Sequence, residues 1–168
     1  MKKNIVLIGM PGSGKTTVGR RLAERLNMEF VDTDALVEQE QGMPIPQIFE
    51  RFGEATFRDM ERRAARTAAA MEGAVIATGG GMVLREENMQ VLSATGMVFF
   101  RDRPVEDIAG QDMTDRPLVG SDTDRLYKLY EQRIGLYRRY ADHIVSNTQT
   151  PQQAAEQIAA LYAQECEL

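Results

Sequence analysis

Gly9-Met10-Pro11-Gly12-Ser13-Gly14-Lys15-Thr16 follows the spacing G-x-x-x-x-G-K-[ST]. That pattern carries meaning only between a strand and a helix. Upstream, Asn4-Ile5-Val6-Leu7-Ile8 is a short apolar run, rich in β-branched residues, as a strand buried on both faces requires. Downstream, Val18, Leu22 and Leu26 recur at helical spacing from Lys15 onward. The glycines permit a tight turn with amide N–H groups facing inward, and the helix adds its positive N-terminal end. Lys15 supplies a point charge for the outer phosphates, and the Thr16 hydroxyl suits Mg²⁺. The chain has 16 Arg and only 4 Lys, and one of those four occupies the lysine position of the motif. A ligand-free glycine turn is the alternative, and the strand–helix context argues against it.

With 168 residues, 43% hydrophobic and 27% charged, the chain suits one domain with a real core. A net charge of −5 argues against a nucleic-acid-binding face, so cations must act locally. No apolar stretch approaches the roughly 18–20 residues of a membrane span. No signal peptide is expected ahead of the first strand. The single cysteine, Cys166, forms no internal disulfide, which suits a reducing cytoplasm. His143, the only histidine, enters Asp142-His143-Ile144-Val145, where a strand-edge role competes with a catalytic one. No long apolar edge demands a partner, so a monomer is expected.

Strand and helix signals alternate along the chain. Strands are expected at 4–8, 29–32, 74–77, 97–100 and 143–145. Helices are expected from Lys15, over 35–41, 47–52, 53–72, 85–94 and 124–140, and from Thr150 onward. Thr150-Pro151-Gln152-Gln153 reads as a capping box with Pro at the first helical position. Such alternation implies a parallel sheet covered on both faces, with ligands beyond the C-terminal strand ends. Residues 109–122 look irregular and polar.

Four features address the acceptor, and each leaves two readings open. In Asp32-Thr33-Asp34, one acid can hold the water shell of Mg²⁺ and the other can receive a hydroxyl proton, or Asp34 can simply cap the next helix. Arg58, in Gly53-Glu54-Ala55-Thr56-Phe57-Arg58, can clamp a carboxylate or pair with Glu54 or Glu61. Gly79, Gly80 and Gly81 let backbone approach a ligand, or merely turn the chain. Arg116, in Asp115-Arg116-Pro117-Leu118, can close on a γ-phosphate from a lid or sit in an ordinary surface loop. Arg133, Arg138 and Arg139 follow on a helix that also carries Tyr127, Tyr130, Tyr137 and Tyr140, and for Arg138 and Arg139 amphipathic packing is the expectation.

Taken together, these residues resemble the shikimate kinase family over essentially the whole chain. The family's Gly-x-Pro-Gly-Ser-Gly-Lys-Thr-Thr-x-Gly, Phe-x-Asp-x-Asp, Gly-Glu-x-x-Phe-Arg-x-x-Glu, Thr-Gly-Gly-Gly, Arg-Pro-Leu and Arg-x-x-Leu-Tyr appear in order. The resemblance implies a three-layer α/β P-loop kinase fold, like that of nucleoside monophosphate kinases. It would be a single domain over 1–168 with a five-stranded parallel sheet, a substrate-binding subdomain at about 33–61 and a lid at about 109–122. The implied reaction is transfer of the ATP γ-phosphate to the 3-hydroxyl of shikimate, on the route to chorismate and the aromatic amino acids. By the family pattern Gly12, Ser13, Gly14, Lys15, Thr16 and Thr17 cradle the phosphates. Thr16 ligates Mg²⁺ and Asp32 supports it through water. Asp34 holds the shikimate hydroxyls, Arg58 and Arg133 take its carboxylate, and Gly79–Gly81 meet it through backbone. Arg116 comes down with the lid.

One departure stands out. The family often places a basic residue about seven positions before the lid arginine, stacked on adenine. Here that stretch is Ile108-Ala109-Gly110-Gln111, without positive charge. Residues near 148–151 are then the candidates to rim the base, and a looser base preference is expected. A gluconate or nucleoside monophosphate kinase, or a non-catalytic nucleotide switch, are the alternatives. Asp107-Ile108-Ala109-Gly110 spells D-x-x-G, but no Asn-Lys-x-Asp base-reading motif exists.

Overall fold

The structure, a computed structural model, describes residues 3–109, 123–146 and 150–166. The chain runs β1 (Asn4–Ile8), α1 (Lys15–Leu26), β2 (Glu29–Asp32), α2 (Thr33–Gln41), α3 (Ile45–Ala69) and β3 (Ala74–Ala77). A 3₁₀ turn over Met82–Leu84 leads to α4 (Glu86–Thr95), β4 (Gly96–Asp102), α5 (Val105–Ala109), α6 (Thr123–Tyr140), β5 (His143–Ser146) and α7 (Pro151–Glu165). The five strands form one parallel sheet in the order β2-β3-β1-β4-β5. β1 and β3 are central or next to it and wholly buried, which is why they read as unbroken apolar runs.

Alternation along the strands divides the core into two layers. Ile5, Leu7, Val75 and Phe99 face α1 and α7, beside Val18, Leu22, Ile158 and Tyr162. Val6, Ile8, Ile76, Val98 and Phe100 pack with Ala65, Ala68, Leu126 and Tyr137 on the other face. A third, smaller cluster of Val37, Ile48, Phe57, Met60 and Ala64 joins α2 to α3.

Sequence signals locate the element ends closely. The capping box at Thr150 forms as expected, with Thr150 accepting from the Gln153 amide and Gln153 returning the bond. Two short elements were invisible to periodicity, the 3₁₀ turn and the five-residue α5. The expected break between helices at Gly53 is a sharp kink within α3, where Gly53 has φ 80° and ψ 173°. That conformation is essentially restricted to glycine. It starts a fresh helical run that carries Phe57, Arg58 and Glu61. His143 lies on the edge strand β5, stacks on Phe99, and its Nε2 lies 2.8 Å from Glu165 Oε1.

Candidate active site

At the C-terminal ends of β1, β2 and β3 a cleft of about 440 Å³ opens. The phosphate loop forms one end of it. Gly14, at φ 90°, begins α1 with no side-chain cap, so the first amides of that helix are left to a ligand. Lys15 is only 7% exposed, and its Nζ donates to the carbonyls of Gly9 (2.7 Å) and Met10 (2.8 Å). The ammonium is thus held over the mouth of its own loop.

Asp32 resolves one of the open alternatives. It, and not Asp34, is the N-cap of α2: its Oδ1 accepts from the amides of Asp34 (2.9 Å) and Ala35 (3.4 Å). Its Oδ2 accepts from Thr16 Oγ1 at 3.0 Å. The hydroxyl and the carboxylate therefore sit side by side at the loop. Asp34, released from capping, lines the cleft from the first turn of α2.

The three glycines after β3 are explained largely by what crowds them. A β-carbon on Gly79 would meet Asp34 Oδ1 at 2.6 Å and Glu61 Oε2 at 3.1 Å. One on Gly80 would strike Pro11 at 2.6 Å, and one on Gly81 would enter the Arg58 guanidinium, 2.6 Å from its Cζ. Side chains from α2, α3 and the phosphate loop can converge there only because nothing protrudes from this turn. The expectation of ligand-facing amides is narrowed as well, since the Gly79 N–H donates to Thr33 Oγ1 at 3.2 Å. Thr78 fixes the turn to β1 through Leu7 O (2.7 Å), and Tyr137 Oη donates to Gly80 O at 2.7 Å.

Arg58 forms the expected pairs with Glu54 and Glu61, but buried rather than on a solvated surface. Its guanidinium is buried and lines the cleft, and it also pairs with Glu61 (Nη1–Oε1 3.0 Å) and Glu54 (Nη2–Oε2 3.3 Å). Glu61 is 1% exposed, and its Oε2 has no hydrogen-bond partner. Burial raises its carboxyl above the ordinary 4.5, while Arg58, Arg133 and Arg85 pull against that. Arg133 is buried on α6 with an unpartnered Nη1, near enough to act on both Glu61 and Tyr137. Burial pushes the Tyr137 phenol up to about 12, so it stays a donor.

Phosphate loop, Asp32, Asp34, Arg58 and Gly79–Gly81 thus share one cleft. Arg116, Gly110 and Gln111, most of the expected lid, and residues 147–149 lie outside the described residues. Glu61 as a buried counter-ion and Tyr137 as a turn anchor were not singled out from the sequence. Ile45, Phe49 and Phe57 also line the cleft; Ile45 falls in the expected break between helices, and Phe49 and Phe57 read only as helix positions. Among the described residues no cluster of three or more His, Cys, Asp or Glu could hold a metal, and no helix is long and apolar enough to cross a membrane.

Comparison with known proteins gives one answer. The family model described as shikimate kinase matches residues 11–163. A shikimate kinase of Clostridium beijerinckii is 43% identical over 148 residues, covering 88% of this chain and 87% of its own. The solved shikimate kinase of Acinetobacter baumannii, in complex with shikimate, superposes with a TM-score of 0.93 at 35% identity, covering 98% of this chain and 95% of that one. That of Aquifex aeolicus gives 0.84 at 36% identity, with 98% of each chain covered.

Proposed function

The chain belongs to the shikimate kinase family, and from that premise we propose how its cleft moves a phosphoryl group from ATP to the 3-hydroxyl of shikimate. One observation carries the assignment of roles: Asp34 and the Arg58–Glu61 pair meet over Gly79 and Gly81 at the open end of the phosphate loop. An acid for a hydroxyl and a cation for a carboxylate stand beside a cradle for phosphates.

Gly12 to Thr17 hold the β- and γ-phosphates through amides and the start of α1, and Lys15 neutralises charge on the outer oxygens. Thr16 and Asp32 fit Mg²⁺: a hydroxyl and a carboxylate 3.0 Å apart are hard oxygen donors. These two donors would be enough to hold Mg²⁺, which takes few protein ligands. When bound, Mg²⁺ offsets the negative charge that builds on the phosphoryl oxygens. Asp34 orients the acceptor hydroxyl and takes its proton. Arg58 clamps the shikimate carboxylate with Arg133 behind it, and Glu61 keeps the guanidinium in plane. Ile45, Phe49 and Phe57 cover the ring and exclude water, which otherwise competes as acceptor. Arg116 closes on the γ-phosphate from the lid. The enzyme acts as a cytoplasmic monomer.

The test is ADP release measured with shikimate, gluconate and AMP as acceptors. Shikimate alone should support turnover, and Asp34→Asn should lower kcat by about 10²–10⁴-fold. Faster turnover with gluconate or AMP would overturn the substrate assignment.

A further inference from the structure

The end of β4 bears on the phosphate loop from behind, and the mechanism above makes no use of it. Arg101 is 3% exposed; its Nε donates to Ser13 O at 3.1 Å, and its Nη1 has no hydrogen-bond partner. Two residues on, the half-buried Arg103 donates from Nη1 to Gly12 O at 3.4 Å. The backbones are in contact too, since a β-carbon on Gly9 would lie 2.7 Å from Arg101 O. Two guanidiniums therefore grip successive carbonyls of one loop.

Among the described residues no carboxylate lies within ion-pair distance of Arg101 or Arg103. Asp102, between them in sequence, instead accepts from Tyr130 Oη at 3.2 Å. Burial and the neighbouring Arg103 both lower the pKa of Arg101, as expected for a cation without compensation. In a chain with 25 acidic residues and 20 basic ones, two neighbouring cations with no carboxylate partner among the described residues carry a desolvation cost. An anion held by the loop would offset it.

Peptide geometry supplies the link. Ser13 C=O and Gly14 N–H belong to one planar unit and point in opposite directions. Gly14 lines the cleft. A cation on the carbonyl end fixes that plane, turns the N–H toward the cleft and strengthens its dipole. We propose that Arg101 and Arg103 are positioning residues of the phosphate loop. They hold the Ser13 and Gly12 carbonyls from behind, Arg101 keeping the Gly14 amide aimed at the phosphates and Arg103 bracing the turn in which Ser13 N–H donates to Met10 O at 3.1 Å. Both find their counter-charge in a bound nucleoside di- or triphosphate.

This inference rests on the loop's being a nucleotide site, so the experiment reads ADP binding directly, without acceptor. ADP is titrated calorimetrically into the wild type and into Arg101→Met, Arg101→Lys and Arg103→Gln, with Tm recorded with and without ADP. Arg101→Met should weaken ADP about tenfold or more, and Arg103→Gln somewhat less. Arg101→Lys, which restores the charge, should recover part of the loss. The KM for shikimate should stay within about twofold, because the acceptor end of the cleft is untouched. Without ADP the Tm of Arg101→Met should equal or exceed that of the wild type, since an uncompensated buried charge has gone. Unchanged ADP affinity in both Arg101→Met and Arg103→Gln would overturn the inference. So would a lower ligand-free Tm with both KM values rising together, the mark of a merely structural role. Failure of the wild type to bind ADP would instead remove the nucleotide site itself, and the inference with it.

Discussion

The guanidinium of Arg58 occupies the space that a side chain on Gly81 would need, with Cζ and Nη2 only 2.6 and 2.7 Å from where a β-carbon would stand. One residue's absence of a side chain is therefore the condition for the other's position. Gly81→Ala should push Arg58 off the turn and raise the KM for shikimate by about tenfold or more, with the KM for ATP little changed. Steady-state kinetics varying each substrate in turn checks this; equal rises in both KM values would show that the turn itself had collapsed.

Glu61 gives a pH dependence. Burial lifts its folded-state pKa above the ordinary 4.5, so the folded protein holds that proton more tightly than the unfolded chain does. The associated stability is present below about 4.5 and is lost as pH rises through the folded value. Glu61→Gln has no such proton. Stability of the wild type minus that of Glu61→Gln should therefore fall as pH rises above 4.5, by up to about 1.4 kcal/mol per pH unit in that window. Urea melts of both proteins across pH 4–8 measure it, and a difference independent of pH would reverse the assignment of a raised pKa.

Tyr137 ties α6 to the glycine turn through its bond to Gly80 O, and its ring stacks on Phe100 at 5.0 Å. Tyr137→Phe keeps the ring and removes the bond to the half-buried Gly80 carbonyl. Denaturant unfolding should show a loss of about 0.5–1.5 kcal/mol. Phenolate absorbance at pH 10 should be little changed by the substitution, because burial pushes Tyr137 up to about 12.

Gly53 kinks α3 in a conformation that other residues avoid. Gly53→Ala should cost about 1–3 kcal/mol by thermal or urea unfolding. The run that follows carries Arg58 and Glu61, so shikimate saturation should weaken as well. Unaltered stability would mean that the helix can straighten without loss.

The donor base is the remaining prediction. With Ile108-Ala109-Gly110-Gln111 lacking a cation to stack on adenine, kcat/KM with ATP and GTP should differ by no more than about one order of magnitude. A strict preference for ATP would place the base-reading contacts elsewhere.

Local signals carried the architecture a long way. Short unbroken apolar runs and period-3.6 patterns located the five strands and the long helices, because the sheet is covered on both faces and each helix turns one apolar face to it. The loop at Gly9–Thr16 was legible because its conformation and chemistry are contained in eight consecutive residues. Asp34 and Arg58 were visible as candidates, but spacing could not tell whether Asp34 caps α2 or lines the cleft, or whether the Arg58 pair is exposed or buried. Those choices turned on contacts between distant segments: Asp32 capping α2, Glu61 packed against Arg58, and Gly79 and Gly81 leaving room for both. Arg101 and Arg103 were silent for the same reason. A strand end with two arginines says nothing until the sheet sets β4 beside β1 and so brings them behind the loop. Hydrophobic periodicity is a property of neighbours along the chain, whereas burial, charge pairing and the space a missing side chain leaves are properties of neighbours across it.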